Sequence, residues 1–421
     1  MPARLRFKAV AAGGGGLPSW APGLGEYADI SILTAENTPG IDPCPAANCL
    51  YSGNEGQPAI WNDWNGGAYA SAFGTYGSFI VHGGGHAGYY GNEVLRYDIE
   101  TQEWFRLNDP SPYGDRIGAL WPNDAQADPS IVNSYGAFPD GNPNPIHTYF
   151  NFEYLPPSAG GGTAGSVIFM HRENSNSFVS DPRIWRFDLA LGTWSNGHTM
   201  QKVGGSHLLH ALIYDSNRQG IWNVAQDDDA SSLGISFYSF LTNTETSVPL
   251  NSGNSFNLGL RFGCAMGAYH AGRDFLLLFR NSTGHALACV DLSSFTLGVS
   301  AFAPTHEITQ SGTPHPNVQG GSNYPTGLEY CSYDGNFYAL DYPAASGRLY
   351  KLTVPASLTG TWAWSSEVLT PKAGTSSIAS VFRSADNHFF NRFRYVHALK
   401  SFVWSDAQEL AVQAGRPSNF T

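Results

Sequence analysis

The sequence is short of charged residues, and this shortage narrows the classes of protein that it can represent. Charged side chains make up 13% of the 421 residues, about half the share of roughly 25% in ordinary soluble domains. Acidic residues outnumber basic ones by 34 to 22. A nucleic-acid surface needs clustered Lys and Arg, so we expect no nucleic-acid partner. One basic pair, Arg392 and Arg394, is interpreted as a solvated surface pair.

Long apolar runs and metal-type cysteine spacing are also lacking. No run approaches the roughly 20 apolar residues of a membrane helix, so we expect no membrane insertion. Residues 1–16 are too glycine-rich for a signal-peptide core, which predicts synthesis in the cytoplasm without a secretory address. The five cysteines match no zinc spacing, and we expect no metal or cofactor. Cys44 and Cys49 could form a local disulfide or stay free, whereas Cys264, Cys289 and Cys331 are predicted to be small buried hydrophobes.

Glycine and aromatic residues are abundant, and they indicate an all-β protein. There are 48 glycines, and aromatic residues make up 14% of the chain, a composition typical of short strands joined by tight turns. Residues 64–107 show the pattern best, because apolar alternation and glycine stops follow one another there. Four strands are predicted in this segment: Gly66–Ala70, Ser78–His82, Glu93–Asp98 and Glu103–Leu107.

The end of this segment resembles a Kelch repeat, the unit of one class of β-propeller. The resemblance rests on an apolar strand that ends in Gly83 and Gly84, on Tyr97-Asp98, and on Trp104 six residues after the aspartate. A second copy, RIWRFDLALGTW, keeps the six-residue gap between Asp188 and Trp194 but lacks the glycine pair. The resemblance implies a propeller of an uncharacterised bacterial or bacteriophage Kelch-like kind. Both tryptophans are then expected to be largely buried between adjacent blades.

Later copies are weaker, but their spacing predicts a single propeller of six blades. Gaps of 90, 51, 52, 60 and 60 residues separate the proposed third-strand positions, and all but the first fit a Kelch period of about 50 residues. These positions are Tyr97, Phe187, Tyr238, Val290, Tyr350 and Leu410. We predict a propeller over 27–421 after an extension over 1–26. The first gap is interpreted as an insertion over 108–145, although it could hide a seventh blade.

The ring of blades is predicted to close through the N-terminal part of the chain. The last blade lacks a fourth strand, and an open sheet edge invites aggregation. Tyr27–Leu33 is an otherwise unpaired strand candidate, so we expect it to complete the last blade beside Ser401–Val412.

A histidine- and glycine-rich loop after the second strand is the first candidate site. His82 and His86 flank three glycines, and Glu93 follows. The histidines could ligate a metal or act as a general base. The alternative is that the histidines bond to backbone while the glycines allow a tight turn, and we favour this scaffold interpretation.

Polar residues at the predicted first strands form the second candidate set. These strands line a propeller's channel, so their side chains could converge on a cation or a sugar; inward polar residues can also simply bond water and backbone. The residues are His147, His207, His210 and Glu329. Trp121, in the insertion, is a further binding candidate. Asp227–Asp229 is interpreted as a solvated acidic turn, with calcium binding as the alternative.

These observations favour a non-enzymatic interaction protein over an enzyme. Few lysines and many Gly, Asn, Ser, Tyr and Trp suit binding of protein chains or surface glycans. The composition and the Kelch resemblance lead us to expect a structural protein of a bacteriophage virion, associated with the tail or capsid, with a cytoplasmic adaptor as the alternative location. The alternative function is a carbohydrate-active lyase or oxidase with its site in the propeller channel.

Overall fold

The chain forms an all-β propeller of six blades in a computed structural model. The structure describes residues 17–43, 55–62, 65–84, 88–112, 136–171, 183–199, 211–226, 233–249, 266–279, 287–313, 328–340, 347–376 and 391–421. Helical structure in these ranges is confined to one turn of α-helix, α1 (Ala59–Asn62), and to 3-10 turns such as Pro157–Ala159 and His397–Leu399. Within the same ranges no helix is long and apolar enough to cross a membrane.

Each of the first three blades is a four-stranded antiparallel sheet whose strands follow chain order from the channel outward. Blade 1 contains β2 (Gly67–Ala70), β3 (Ser78–Val81), β4 (Leu95–Asp98) and β5 (Glu103–Arg106). Blade 2 contains β6 (Glu153–Leu155), β7 (Ser166–Met170), β8 (Arg183–Asp188) and β9 (Thr193–Thr199). Blade 3 contains β10 (Ala211–Asp215), β11 (Gly220–Gln226), β12 (Leu233–Ser239) and β13 (Thr244–Ser247).

Blade 4 has the same four-stranded plan, whereas blades 5 and 6 add short strands from neighbouring connections. Blade 4 contains β14 (Met266–His270), β15 (Phe275–Phe279), β16 (Leu287–Asp291) and β17 (Thr305–Glu307). Blade 5 contains β19 (Glu329–Cys331), β20 (Asn336–Leu340), β21 (Arg348–Thr353) and β22 (Trp362–Val368), with β18 (Gln310–Gly312) parallel to β22. Blade 6 contains β24 (Phe393–Val396), β25 (Ser401–Trp404) and β26 (Gln413–Arg416), and it is completed by β1 (Glu26–Asp29) and β23 (Thr370–Pro371).

Blade 6 confirms that an N-terminal strand closes the ring. β1 pairs antiparallel with β26, from Glu26 opposite Arg416 to Asp29 opposite Gln413. The strand is shorter than the predicted Tyr27–Leu33, and its partner lies just beyond the predicted Ser401–Val412. Joining the two chain ends in one sheet covers the edge that would otherwise stay open.

The aspartates of the repeat cap the outer turn of their blades. Oδ1 of Asp98 accepts the backbone N–H groups of Glu100 and Thr101, at 2.9 and 3.3 Å. Asp188 does the same at the equivalent turn of blade 2, for the N–H groups of Ala190 and Leu191. A short acceptor side chain can replace backbone partners in a tight turn, which explains why Asp recurs there.

The repeat tryptophans pack between structural elements, to different degrees. Trp104 is buried and its ring lies 5.6 Å from that of Trp61, edge to face. Trp194 is only partly buried, although its indole N–H donates to the carbonyl of Asn92 in blade 1 at 3.3 Å. The predicted burial is therefore confirmed for Trp104 and holds in part for Trp194.

Two of the predicted third-strand positions are wrong. In blade 1 the third-strand residue Tyr97 lies opposite the fourth-strand residue Trp104. In blade 5 the third-strand residue opposite Trp364 is Leu352, so the predicted Tyr350 lies two residues too early. In blade 6 the third strand is Gln413–Arg416, so Leu410 precedes it. Gln-Ala-Gly-Arg carries little strand propensity of its own, and its pairing between β25 and β1 makes it a strand.

Arg392 and Arg394 are not the solvated surface pair that the sequence suggested. Arg392 is fully buried, and its guanidinium donates to the carbonyl of Asp406 at 2.9 Å. Arg394 lies on β24, the innermost strand of blade 6, and is 8% exposed. Innermost strands face the channel, so this arginine points inward rather than into bulk solvent.

Candidate functional site

The innermost strand of every blade carries a tyrosine at the same register position. In blade 1, Tyr69 on the first strand pairs with Phe79 on the second strand, and Phe79 pairs with Tyr97 on the third strand. The other five tyrosines occupy the same register in their blades. The six residues are Tyr69, Tyr154, Tyr214, Tyr269, Tyr330 and Tyr395. This sixfold position defines one level of the channel.

Several of these tyrosines link their blade to the preceding one. The Tyr154 hydroxyl accepts the N–H of Ala72 in blade 1 at 3.3 Å and donates to the Ala164 carbonyl at 3.1 Å. Tyr330 hydrogen-bonds in the same manner to the backbone of Gly272 in blade 4. Burial raises the pKa of both phenols, so they stay neutral. Their role is to hold the inner ring together.

The residues directly before three of these tyrosines form a charged cluster across the channel. Nη2 of Arg394 lies 3.4 Å from a carboxylate oxygen of Glu153 in blade 2. Nη1 of the same guanidinium lies 3.3 Å from Oε2 of Glu329 in blade 5. Arg394 also donates to the carbonyls of Gly67 and Asn391, which fixes its position. One arginine therefore lies between two carboxylates from different blades.

Burial dominates the electrostatics of this cluster. The side chains of Arg394, Glu153 and Glu329 are only 10, 12 and 19% exposed. Loss of hydration raises the pKa of Glu329 to about 7, with Arg394 opposing the rise and Glu153 adding to it. The pKa of Arg394 is raised by the two carboxylates against the effect of its burial. Near neutral pH the cluster thus exchanges a proton at Glu329 while Arg394 stays charged.

A cavity of about 230 Å³ lies against the cluster inside the ring. All six blades contribute to its wall. One part is polar, from the cluster together with Ser71 and Asn391, and another is apolar, from Ile213, Ala268 and Leu328. The cluster therefore faces space that a ligand can enter.

The histidine–glycine loop of blade 1 is built as scaffold in the part that the structure describes. His82 is buried, and its Nδ1–H donates to the carbonyl of Glu93 at 2.9 Å. Burial lowers the pKa of His82 to about 4, so the ring is neutral near pH 7. A Cβ on Gly83 would lie 2.1 Å from Asn65 Oδ1, and its φ of +142° suits glycine.

Glu93 takes part in a buried hydrogen-bond network beside this loop. Its Oε1 accepts from Gln57 at 2.8 Å and from the Tyr89 hydroxyl at 2.5 Å. Burial raises the pKa of the carboxyl. Gln408 of the last blade donates to Gln57 at 2.7 Å, so the network joins blades 6 and 1. Neither His82 nor Glu93 lines the channel cavity.

The structure places the other predicted site residues as follows. Glu329 opens β19 and faces the channel, as its first-strand position suggested. His147 does not open a blade: β6 begins at Glu153, and His147 is buried before it, 3.2 Å from the Tyr149 hydroxyl. The predicted convergence of His147 with Glu329 therefore does not occur. His86, Trp121, His207, His210 and Asp227–Asp229 lie outside the described residues.

Metal-ligating and cysteine chemistry receive no support in the described ranges. No three or more His, Cys, Asp or Glu side chains are grouped there in a way that could hold a metal ion. Cys289 and Cys331 are buried free thiols, as predicted, and burial raises the pKa of each to about 12. Cys44, Cys49 and Cys264 lie outside these ranges.

Glu153 and Arg394 are the channel residues that the sequence analysis missed. Both directly precede a first-strand tyrosine, in the order Glu153-Tyr154 and Arg394-Tyr395, as Glu329 precedes Tyr330. An alignment of the six first-strand tyrosines places all three charged residues at the same repeat position, directly before the tyrosine.

Comparisons with known proteins indicate distant likenesses only. No family model matches the chain, and no curated protein matches it. Among solved structures, a gluconolactonase from Xanthomonas campestris is similar with a TM-score of 0.42 and 11% identity over 87% of each chain. A mutant Aleuria aurantia lectin in complex with Fucα1-6GlcNAc gives 0.38 and 9%, over 72% of this chain and 79% of the lectin. TolB from Acinetobacter baumannii gives 0.35 and 13%, over 73% of this chain and 57% of TolB. These likenesses are too remote to bear on function.

Proposed function

We propose that the protein is a non-enzymatic binding module that takes a small ligand into its central channel. The observation that carries the proposal is the cluster of Arg394, Glu153 and Glu329 beside a cavity of about 230 Å³. Polar groups that converge on an internal cavity are the usual mark of a ligand site.

The energetic cost of the cluster supports this proposal. Removing charged groups from water costs several kcal/mol per ion, and their mutual attraction often fails to repay it. The contacts of Arg394 with the two carboxylates are 3.3 and 3.4 Å long, at the loose end for charge-assisted hydrogen bonds. Apolar residues would close the ring at lower cost. A ligand that completes the hydrogen bonds accounts for the presence of charges here.

Ligand binding and its dependence on the channel test the proposal. A library of small polar compounds is screened by ligand-observed NMR against the full chain, and hits are measured by calorimetry. Glu153→Gln keeps the shape of the cluster but removes a charged acceptor, and it is expected to weaken binding at least tenfold. Glu103→Gln, on the exposed outer strand β5, is the matched control and should bind as the wild type does. Hits that bind all the variants equally would refute a channel site.

A carbohydrate-active enzyme is the second candidate, and one observation favours it. The pKa of Glu329, about 7, suits a group that both gives and takes a proton near neutral pH. A second carboxyl, Glu153, lies on the other side of the guanidinium, and paired carboxyls perform glycoside hydrolysis. Incubation with a polysaccharide panel tests this: new reducing ends or unsaturated products that disappear in Glu329→Gln would establish an enzyme.

For the biological setting we propose a bacteriophage virion, with blades of the Kelch kind and with protein chains or surface glycans as partners. Support comes from the composition and from the repeated Asp–Trp pairs, Asp98 with Trp104 and Asp188 with Trp194. Mass spectrometry of purified bacteriophage particles tests this setting. The protein should be present in the particles at a fixed stoichiometry. Its absence from them would contradict the virion proposal and favour a cytoplasmic adaptor.

A further inference from the structure

The cavity size limits the channel ligand to a single small molecule or one terminal unit of a chain. Drug-sized ligands occupy pockets of roughly 300–1,000 Å³, whereas this cavity measures about 230 Å³. One water takes about 30 Å³ in the liquid, so roughly eight waters would fill it. A molecule of one saturated ring with its substituents matches this space, and a polymer segment does not.

The charges of the wall select against ionic ligands. An anion would meet Glu153 and Glu329, and like charges at short range in a poorly hydrated site repel strongly. A cation would compete with the Arg394 guanidinium, which already lies between the two carboxylates. When Glu329 holds its proton, the remaining charges of Glu153 and Arg394 cancel. The cluster is therefore best satisfied by a neutral ligand.

The hydrogen-bonding groups at the wall favour hydroxyls in particular. Carboxylates can only accept, and guanidinium groups can only donate. A hydroxyl does both, so neighbouring hydroxyls on one ring can donate to Glu153 and accept from Arg394. Asn391 and Ser71, which also line the cavity, add groups of mixed capacity. A ligand with several adjacent hydroxyls fits this set better than an amide or an ether.

Another part of the wall is apolar and gives the ligand a second kind of contact. Ile213, Ala268 and Leu328 line it, and five of the six tyrosines at the same level, all but Tyr395, also line the cavity. A ligand that is polar all round would leave this part without favourable contacts. A pyranose ring has hydroxyls along its rim and C–H groups on its faces, so it matches both parts.

We infer that the channel binds one neutral sugar ring, a free monosaccharide or the end of a glycan, with hydroxyls on Arg394, Glu153 and Glu329 and a C–H face toward Ile213. This inference rests on the proposed binding function. A glycan would therefore enter this cavity of about 230 Å³ with its terminal ring.

Calorimetry and ligand-observed NMR on the full chain test the inference with three classes of probe. The neutral class contains the methyl glycosides of glucose, galactose, mannose and fucose. The cationic class contains choline and glucosamine, and the anionic class contains glucuronate and gluconate. We expect saturable binding of at least one methyl glycoside, at least tenfold tighter than any charged probe.

Three variants of the channel and one control variant locate the binding. Glu153→Gln removes an acceptor and should weaken the glycoside at least tenfold, and Ile213→Ser should weaken it several-fold. Glu103→Gln should leave it unchanged. Arg394→Lys, which keeps the charge but loses the planar fork, should also weaken binding; if it does not fold, the first two variants still decide.

The outcomes separate this inference from the function on which it rests. A charged probe that binds more tightly than every methyl glycoside, and is lost in Glu153→Gln, would overturn the sugar and leave the channel as a binding site. A glycoside that binds equally to all variants would place the sugar elsewhere and overturn the inference. No binding by any probe, together with no hit in the wider screen, would overturn both.

Discussion

Replacing Glu329 by Gln is the perturbation whose effect can be worked out furthest. The carboxyl has a pKa of about 7 in the folded protein against an ordinary 4.5. Between these two values the folded state holds a proton that the unfolded state has released. Stability therefore falls as pH rises through this window, and it is greatest below the unfolded value. A neutral amide removes this dependence.

The expected magnitude is about 3 kcal/mol, since each pKa unit is worth about 1.4 kcal/mol. The difference in unfolding free energy between Glu329→Gln and wild type should thus shift in favour of the variant by up to about 3 kcal/mol as pH rises from 4.5 to 8. This shift is expected whatever the difference in stability at low pH. Urea unfolding followed by tryptophan fluorescence at six pH values measures the difference. Glu103→Gln, on the exposed strand β5, should show no comparable change. Parallel pH profiles for wild type and Glu329→Gln would refute the assigned protonation of the cluster.

Three further predictions concern the scaffold. Trp104→Ala should destabilise the fold by about 3–5 kcal/mol, the range for a buried large aromatic. Urea unfolding measures the loss, with the exposed substitution Leu191→Ala as the control. A loss below about 1 kcal/mol would contradict the packing of Trp104 beside Trp61. Deleting residues 1–30 removes β1 and reopens blade 6, so the protein should aggregate or lose its cooperative unfolding transition. Deleting residues 1–16 leaves β1 in place and should have neither effect. Equal melting temperatures for the two deletion variants would show that closure by β1 is dispensable. Replacing residues 113–135 by a short Gly-Ser linker spares the buried Ala137 and Phe138, so circular dichroism should show that the propeller still folds. The protein chains or glycans that the wild type retains in a pull-down should then be lost, and their unchanged recovery would rule out the predicted insertion as an interaction element.

The strands and their order could be predicted where local sequence signals agree. In blade 1 the alternation, the glycine stop and the capping aspartate all indicate the same elements, and β2 to β5 lie within or next to the predicted segments. In blade 6 the third strand, Gln413–Arg416, lacks such signals, because it is held by neighbours from both ends of the chain. Its position depends on tertiary pairing, and sequence spacing placed it too early, at Leu410.

The channel cluster could not be predicted from its local sequence. Arg394 is 241 residues from Glu153 and 65 from Glu329, so only closure of the ring brings the three together. In the sequence alone, Arg394 stands two residues after Arg392, and the two together look like a basic pair on the surface. The sequence did hold one usable signal, a tyrosine after each of these charged residues. An alignment of the repeat on its third strands does not reveal this signal, because the charged residues lie on the first strands.

The histidine–glycine loop shows the opposite case, where a conspicuous motif serves packing. His82 and Glu93 attract attention as candidate ligands. In the structure, however, His82 is held neutral by burial, and Glu93 is buried and accepts a hydrogen bond from Gln57. Glycines in this loop allow close approach to Asn65. Titratable residues near glycines can thus mark a tight blade junction as readily as a site.

A crystal structure of the protein soaked with the tightest-binding methyl glycoside tests the central claim most directly. The account predicts density for one sugar ring inside the channel, with hydroxyls within hydrogen-bond distance of Arg394 and Glu153 and a ring face toward Ile213. The same soak of Glu153→Gln should show the ring at reduced occupancy. Density for the sugar on the outer surface alone, with only water beside Arg394, would contradict the claim.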